Sequence, residues 1–271
     1  MKAKIKLFGV VTLSLALLGS CFSATTFAFG SKTHKKLTEL AFNTVGMRKA
    51  FTTKTGAEAT KEILLKKCVG DDSDGYYYRN FYEPLCDPDE QEHNDNALTR
   101  MNSHFSQGLE FWRKNDINEA VGELGRALYY LQNMCCIVHL WGYDYNDFHL
   151  LLHVAIEDAL DANISTYQSE LNTQNLNDFR VNNSTPENTA IYYSKLVYNK
   201  FSDLKYEDSG TALKFITLAG LNPVAVLYNQ TIHPVVLRCT AGKFGGAMFE
   251  LAARASCELI YMFFKELGIN L

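Results

Sequence analysis

Apolar residues recur at three- and four-residue intervals over most of this chain, and only five prolines, at positions 84, 88, 186, 223 and 234, interrupt them. No segment alternates apolar and polar residues long enough for a half-buried strand, so the pattern predicts an all-α protein. Helices are expected to start at Thr33, read as an N-cap, and near Ala57, Ala97, Ile117, Asp147, Glu187 and Asp208, with a last one over residues 244–267. Residues 108–130 read as a helical hairpin turned at Asn115-Asp116, and the run from Asn182 to Pro186 as a plain turn. Residues 70–95, rich in aspartate and tyrosine, read as a long irregular loop, a feature that in compact domains often carries function.

The first six residues carry three lysines, and residues 7–19 form an apolar or small-residue stretch too short to span a bilayer. Residues 1–28 are therefore expected to be a signal peptide. Thr26-Phe27-Ala28 offers the small residues that a signal peptidase requires and would leave Phe29 as the N-terminus. Leu18-Gly19-Ser20-Cys21 resembles a lipobox, the alternative, in which Cys21 would be the lipidated terminus. Residues 29–271 fit one domain. They contain six cysteines, Cys68, Cys86, Cys135, Cys136, Cys239 and Cys257; an exported chain is compatible with disulfides, and at least one of Cys135 and Cys136 is expected in one, with the pairing open. The net charge is -4, and with no basic stripe evident, no nucleic-acid partner is expected.

Residues 124–161 hold the densest chemical signal. His153 and Glu157 lie four apart on one helical face, His149 lies one turn before them, and His139 precedes them in a loop. Two imidazoles and a carboxylate suit zinc, with a fourth position left for water. His104 is expected in an exposed or capping role, His93 and His233 on the surface. Tyr76, Tyr77, Tyr78, Phe81 and Tyr82 are expected either to line a lipid-accessible mouth or to pack the loop.

These residues resemble the zinc-dependent phospholipases C, which carry LGxxxHYxxD, then PxH, then HxxxE. This chain reads LGRALYYLQN, IVH and HVAIE. Asn80-Phe81-Tyr82-Glu83-Pro84 resembles the family's His-Phe-Tyr-Asp-Pro, and the acidic loop with Asp71, Asp72 and Asp74 precedes it where the family has an aspartate ligand. Phe29-Gly30-Ser31-Lys32-Thr33-His34 is similar to the family's mature N-terminus, where the first residue's amine and carbonyl bind metal with the histidine.

The resemblance implies an all-α, single-domain multi-helix bundle of the zinc-dependent phospholipase C type. It also implies metal ligands at His139, His153, Glu157, His34, Phe29 and Asp72, the last being one choice among the three loop aspartates. Asp72 is implied as the catalytic base, with Glu157 the other catalytic position. Asn80 and Tyr129 stand where the family has histidines, and Asn133 where it has a bridging aspartate, so that metal position is expected to be degenerate. One zinc is expected where the family holds up to three. The implied function is hydrolysis of phospholipid phosphodiester bonds at a membrane surface by an exported, periplasmic or secreted protein. Two alternatives remain: a non-catalytic single-zinc descendant that binds lipid or protein, and a nuclease-type phosphodiesterase.

Overall fold

The computed structural model describes residues 29–69, 79, 82–84, 94–140, 157, 160–171, 184–201 and 245–271. Its helices are α1 (Ser31–Thr44), α2 (Lys54–Lys67), α3 (Ala97–Arg113), α4 (Ile117–Asn133), α5 (Ile164–Glu170), α6 (Pro186–Phe201) and α7 (Gly246–Glu266), with short 3-10 turns at Met47–Ala50 and Ile137–His139. No strand occurs among the described residues. The all-α expectation from periodicity therefore holds. The expected helices from Asp147 and Asp208 begin outside the described residues, as does most of the 70–95 loop.

Local sequence sets most of the boundaries. Asn96 and Thr99 form a reciprocal capping box at the start of α3, and Thr53 accepts from the Gly56 amide at the start of α2. The α3–α4 hairpin turns where expected: Asn115 takes a left-handed φ of 62° and Asp116 caps α4. Asparagine tolerates that conformation better than most side chains.

Helix α1 departs from expectation. Thr33 is not its N-cap but a buried residue of its first turn, and the capping carboxylate comes from a remote segment. Asp161 accepts from the amides of Lys32 (3.3 Å) and Thr33 (2.9 Å) and from the Thr33 hydroxyl (2.6 Å). The negative group sits at the positive end of the helix dipole. A Cβ on Gly30 would collide with this carboxylate, so the close approach requires glycine there.

Helix α4 lies at the centre, packed against α1, α2, α3 and α7, and it is buried nearly all round, including the polar residues Glu123, Gln132 and Asn133. Glycines permit the closest crossings. A Cβ at Gly125 would stand 3.0 Å from the Leu64 carbonyl of α2, and one at Gly108 would stand 2.9 Å from the Phe263 ring and 3.1 Å from the Ala120 carbonyl. Gly108→Val is therefore expected to overpack the α3–α4–α7 junction and to lower stability by about 1–3 kcal/mol, read as a shift of the urea midpoint.

Helix α7 carries a fully buried glutamate, Glu258, which accepts from the Tyr193 hydroxyl (3.0 Å) and from Thr189 (3.4 Å) of α6. Burial and the neighbouring carboxylate push the Tyr193 phenol upward, so it stays a donor. Cys68, Cys135 and Cys257 are buried thiols, not halves of disulfides. For Cys135 this removes the expected bridge. Burial pushes Cys68 and Cys257 up to about 12, and Cys135 upward as well, so all three stay protonated. No helix among the described residues is long and apolar enough to cross a membrane.

Candidate functional site

The site is built where the N-terminus of α1 meets the C-terminal half of α4. His34, one turn into α1, is fully buried. Its Nδ1 lies 2.6 Å from the Oε1 atom of Gln132. An amide oxygen has no proton to give, so the imidazole donates from Nδ1 and its Nε2 keeps the lone pair. Gln132 is itself held on its other end, where its amide nitrogen donates to Thr38 and to Ser256, each at 3.0 Å. Burial drives the His34 pKa down to about 4, against the raising effect of the Gln132 hydrogen bond, so the ring is neutral near pH 7.

The lone pair faces the chain's own backbone. The Phe29 nitrogen lies 3.4 Å from His34 Nε2, and Phe29 is fully buried with its ring set edge-on to the imidazole at 5.9 Å. Cleavage before Phe29 would turn this peptide nitrogen into an α-amine. Tyr129, Gln132 and Asn133 lie on one side of α4, at positions three and four apart, and the Tyr129 ring is tilted against His34 with centroids 4.9 Å apart. Tyr129 and Asn133, two of the three expected degenerate positions, thus lie on the α4 face that meets His34. The third, Asn80, lies outside the described residues.

A second pair forms just beyond α4. A 3-10 turn places His139, which is 1% exposed, with its Nε2 3.5 Å from Oε1 of Glu157. The His139 carbonyl accepts from the Tyr82 amide at 3.0 Å, which ties Tyr82 to this turn. Asp161, four residues after Glu157, is the carboxylate that caps α1. His153, Asp71, Asp72 and Asp74 lie outside the described residues, as does His149.

The fit of zinc follows from donor spacing. Two ligand atoms about 2.0–2.1 Å from one tetrahedral zinc stand about 3.3–3.4 Å apart. The Phe29 nitrogen to His34 Nε2 distance of 3.4 Å and the His139 to Glu157 distance of 3.5 Å both match. Each distance is compatible with two ligands of one tetrahedral zinc, and equally with the hydrogen bond from the Phe29 amide and the His139–Glu157 ion pair that the two contacts form here. Among the described residues no group of three or more histidine, cysteine or acidic side chains converges to complete a tetrahedral site. At Tyr129 and Asn133 the donor set is a neutral phenol and an amide, which fit zinc poorly.

Sequence reasoning missed Gln132 and Asp161, since neither belongs to the ligand motif. His104 is also placed differently: it is the eighth residue of α3, not near its start, and is mostly buried. Its Nδ1 bonds Glu123 at 2.6 Å, and its ring stacks on Tyr130 at 5.6 Å. Burial raises the Glu123 carboxyl, but the His104 bond and the charges of His104 and Arg126 outweigh it and hold the group below its ordinary range.

Among solved structures, the fold is similar to the alpha toxin from Clostridium absonum, with a TM-score of 0.56 and 13% identity over 91% of this chain and 66% of that one. It is similar too to the Clostridium perfringens alpha-toxin isolated from an avian strain, with a TM-score of 0.55 and 11% identity over 90% and 65%. This chain thus spans about two thirds of the toxins' length. The likeness is one of fold, and it supports the bundle type implied by the family resemblance. No family model matches the sequence, and no curated protein matches it.

Proposed function

We propose that this chain is an exported phosphodiester hydrolase of the phospholipase C type, working on phospholipid with a reduced metal site. The observation that carries the proposal is the pair of donor couples, Phe29 with His34 and His139 with Glu157, each at zinc-ligand spacing within an alpha-toxin-like fold. His139 and Glu157, completed by His153, would hold one zinc. His34 would hold a second, weaker one, together with the α-amine and carbonyl of a chain starting at Phe29. Zinc bound there would acidify a water and neutralise charge on the phosphate oxygens. Gln132 holds the His34 lone pair toward the site, Asp161 keeps α1 in register, and an acidic-loop carboxylate, taken as Asp72, would accept the water's proton.

A second reading, a single-zinc lipid- or protein-binding descendant without turnover, is favoured by one observation: Tyr129 and Asn133 bring neutral side chains to the face that meets His34.

One experiment separates the two. The exported protein is purified, its N-terminal mass and zinc per chain are measured, and release of phosphorylated head group from monomeric short-chain phosphatidylcholine is followed. A chain starting at Phe29, with one or two zincs and turnover, supports the hydrolase; one zinc without turnover supports the binder. In His139→Ala the zinc content should fall by one equivalent and turnover by about 100-fold or more. Unchanged zinc in that variant would remove the His139 site.

A further inference from the structure

The net charge of -4 conceals a segregation. Residues 29–69 carry nine lysines and arginines against three glutamates, whereas residues 70–271 carry fourteen against twenty-seven aspartates and glutamates. The basic segment is α1, the 3-10 turn and α2, which corrects the expectation that the chain carries no basic stripe. Its inner side packs on α4 and α7, and its cations face outward: Lys32, Lys35, Arg48, Lys49, Lys54 and Lys66 are exposed, and Lys36 and Lys61 lie on the seam between the helices. On α1, Lys32, Lys35 and Lys36 occupy one stripe opposite the buried face of Leu37, Thr38, Ala41 and Phe42.

The carboxylates on this surface are few, and all but Glu62 are engaged. Glu39 is held below its ordinary range, first by the Lys61 hydrogen bond at 2.6 Å and then by Lys36 at 3.2 Å. Glu58 pairs with Arg48, and Asp161 is taken up by the α1 amides beside Lys32. Glu62 is exposed. Lys32, Lys35, Lys49, Lys54 and Lys66 make no ion pair with any described residue.

We propose that the outer face of α1 and α2 docks the protein on an anionic phospholipid surface. That the partner is a diffuse anionic surface follows from charge complementarity and from the kind of cation. Eight of the nine are lysines, and the single arginine is already paired; lysine is a compact point charge suited to a diffuse anionic surface, whereas arginine's fork suits individual phosphates and bases. Single-stranded nucleic acid is bound on exposed aromatic platforms. Among the described residues the exposed large hydrophobic side chain is Tyr192, on α6. The acidic remainder of the molecule would be repelled from the same surface, so the charge asymmetry orients the protein as well as attracting it. The proposal relies on the hydrolase reading above only for the choice of lipid as partner.

The test uses the full mature chain with zinc chelated, so that no lipid is consumed, and sedimentation with vesicles of pure phosphatidylcholine or of phosphatidylcholine with 30% phosphatidylglycerol. Each lysine near an anionic leaflet is worth about five-fold in partition. The wild-type chain should bind the anionic vesicles, lose at least about ten-fold between 25 and 250 mM salt, and ignore pure phosphatidylcholine. Lys35→Gln/Lys49→Gln/Lys54→Gln should lose about 100-fold, while Lys114→Gln/Lys195→Gln/Lys265→Gln, equal in net charge but on other faces, should lose less than about two-fold. Equal losses in the two variants, binding that ignores salt, or tighter binding to single-stranded DNA at equal phosphate concentration would each overturn the docking face. Hydrolysis of a monomeric short-chain phospholipid by the zinc-loaded triple variant separates the two proposals: turnover retained with binding lost leaves the hydrolase intact.

Discussion

Gln132→Leu is expected to lower the unfolding free energy by about 3–5 kcal/mol, a large share of what a domain of this size possesses. Leucine matches the shape of the amide but offers no hydrogen bond. The His34 Nδ1 donor, fully buried, loses its acceptor outright, and Thr38 and Ser256 lose the donor that reaches their oxygens. A buried group left without its partner costs roughly 1–3 kcal/mol, and the histidine is the most demanding of the three. Ser256 also donates to the Ala252 carbonyl at 2.8 Å, which moderates its share. Urea unfolding of the two proteins at pH 7 measures the loss. A difference under about 1 kcal/mol would mean that water reaches His34, contrary to its complete burial. The imidazole nitrogen resonances give a second check, since the wild-type ring should be the pure Nδ1–H tautomer and the variant a mixture.

In the zinc-free chain, His34 should also make stability depend steeply on pH. The unfolded chain's histidine takes a proton near pH 6.5, while native His34 resists it until about pH 4. Between those values the unfolded state binds more protons, so stability falls as pH falls, by about 1.4 kcal/mol per unit and about 3 kcal/mol in all. Above pH 6.5 both states hold the ring neutral, and His34 adds no slope. Carboxylates titrate in the same window, but they are common to wild type and to His34→Gln. The difference between the two proteins' stability curves therefore isolates the histidine. The contribution is confirmed if that difference closes by about 3 kcal/mol from pH 7 to pH 4, and is refuted if the curves run parallel. Zinc at Nε2 would steepen the wild-type slope by competing with the proton, so the measurement is made under chelation.

Much of this molecule was legible before any coordinates. The helical class, the α3–α4 hairpin with its turn at Asn115-Asp116, and the near position of α7 all follow from interactions between residues one to four apart. The Phe29 to His34 approach is also short-range, because five residues span a cap and a first turn. The family resemblance singled out His139 and Glu157, and the structure sets them 3.5 Å apart.

Other features were not legible, and they share one physical cause. Asp161 caps α1 from 128 residues away, and Gln132 reaches His34 across 98 and Ser256 across 124. Nothing local marks Gln132 as a tether or Asp161 as a cap, and Thr33 carried the ordinary signature of an N-cap until the remote carboxylate displaced it from that role. His104 looked like a terminal residue and lies within α3 against Glu123. Likewise, the outward turn of the cations of residues 29–69 depends on which faces of α1 and α2 pack on α4 and α7. The sequence by itself determined the helical class and the turn between α3 and α4, because those depend on propensity and spacing carried by neighbouring residues. Only the tertiary structure decided which buried polar groups satisfy one another and where the charge is displayed, because a buried donor must find its acceptor wherever the packing of distant helices places one.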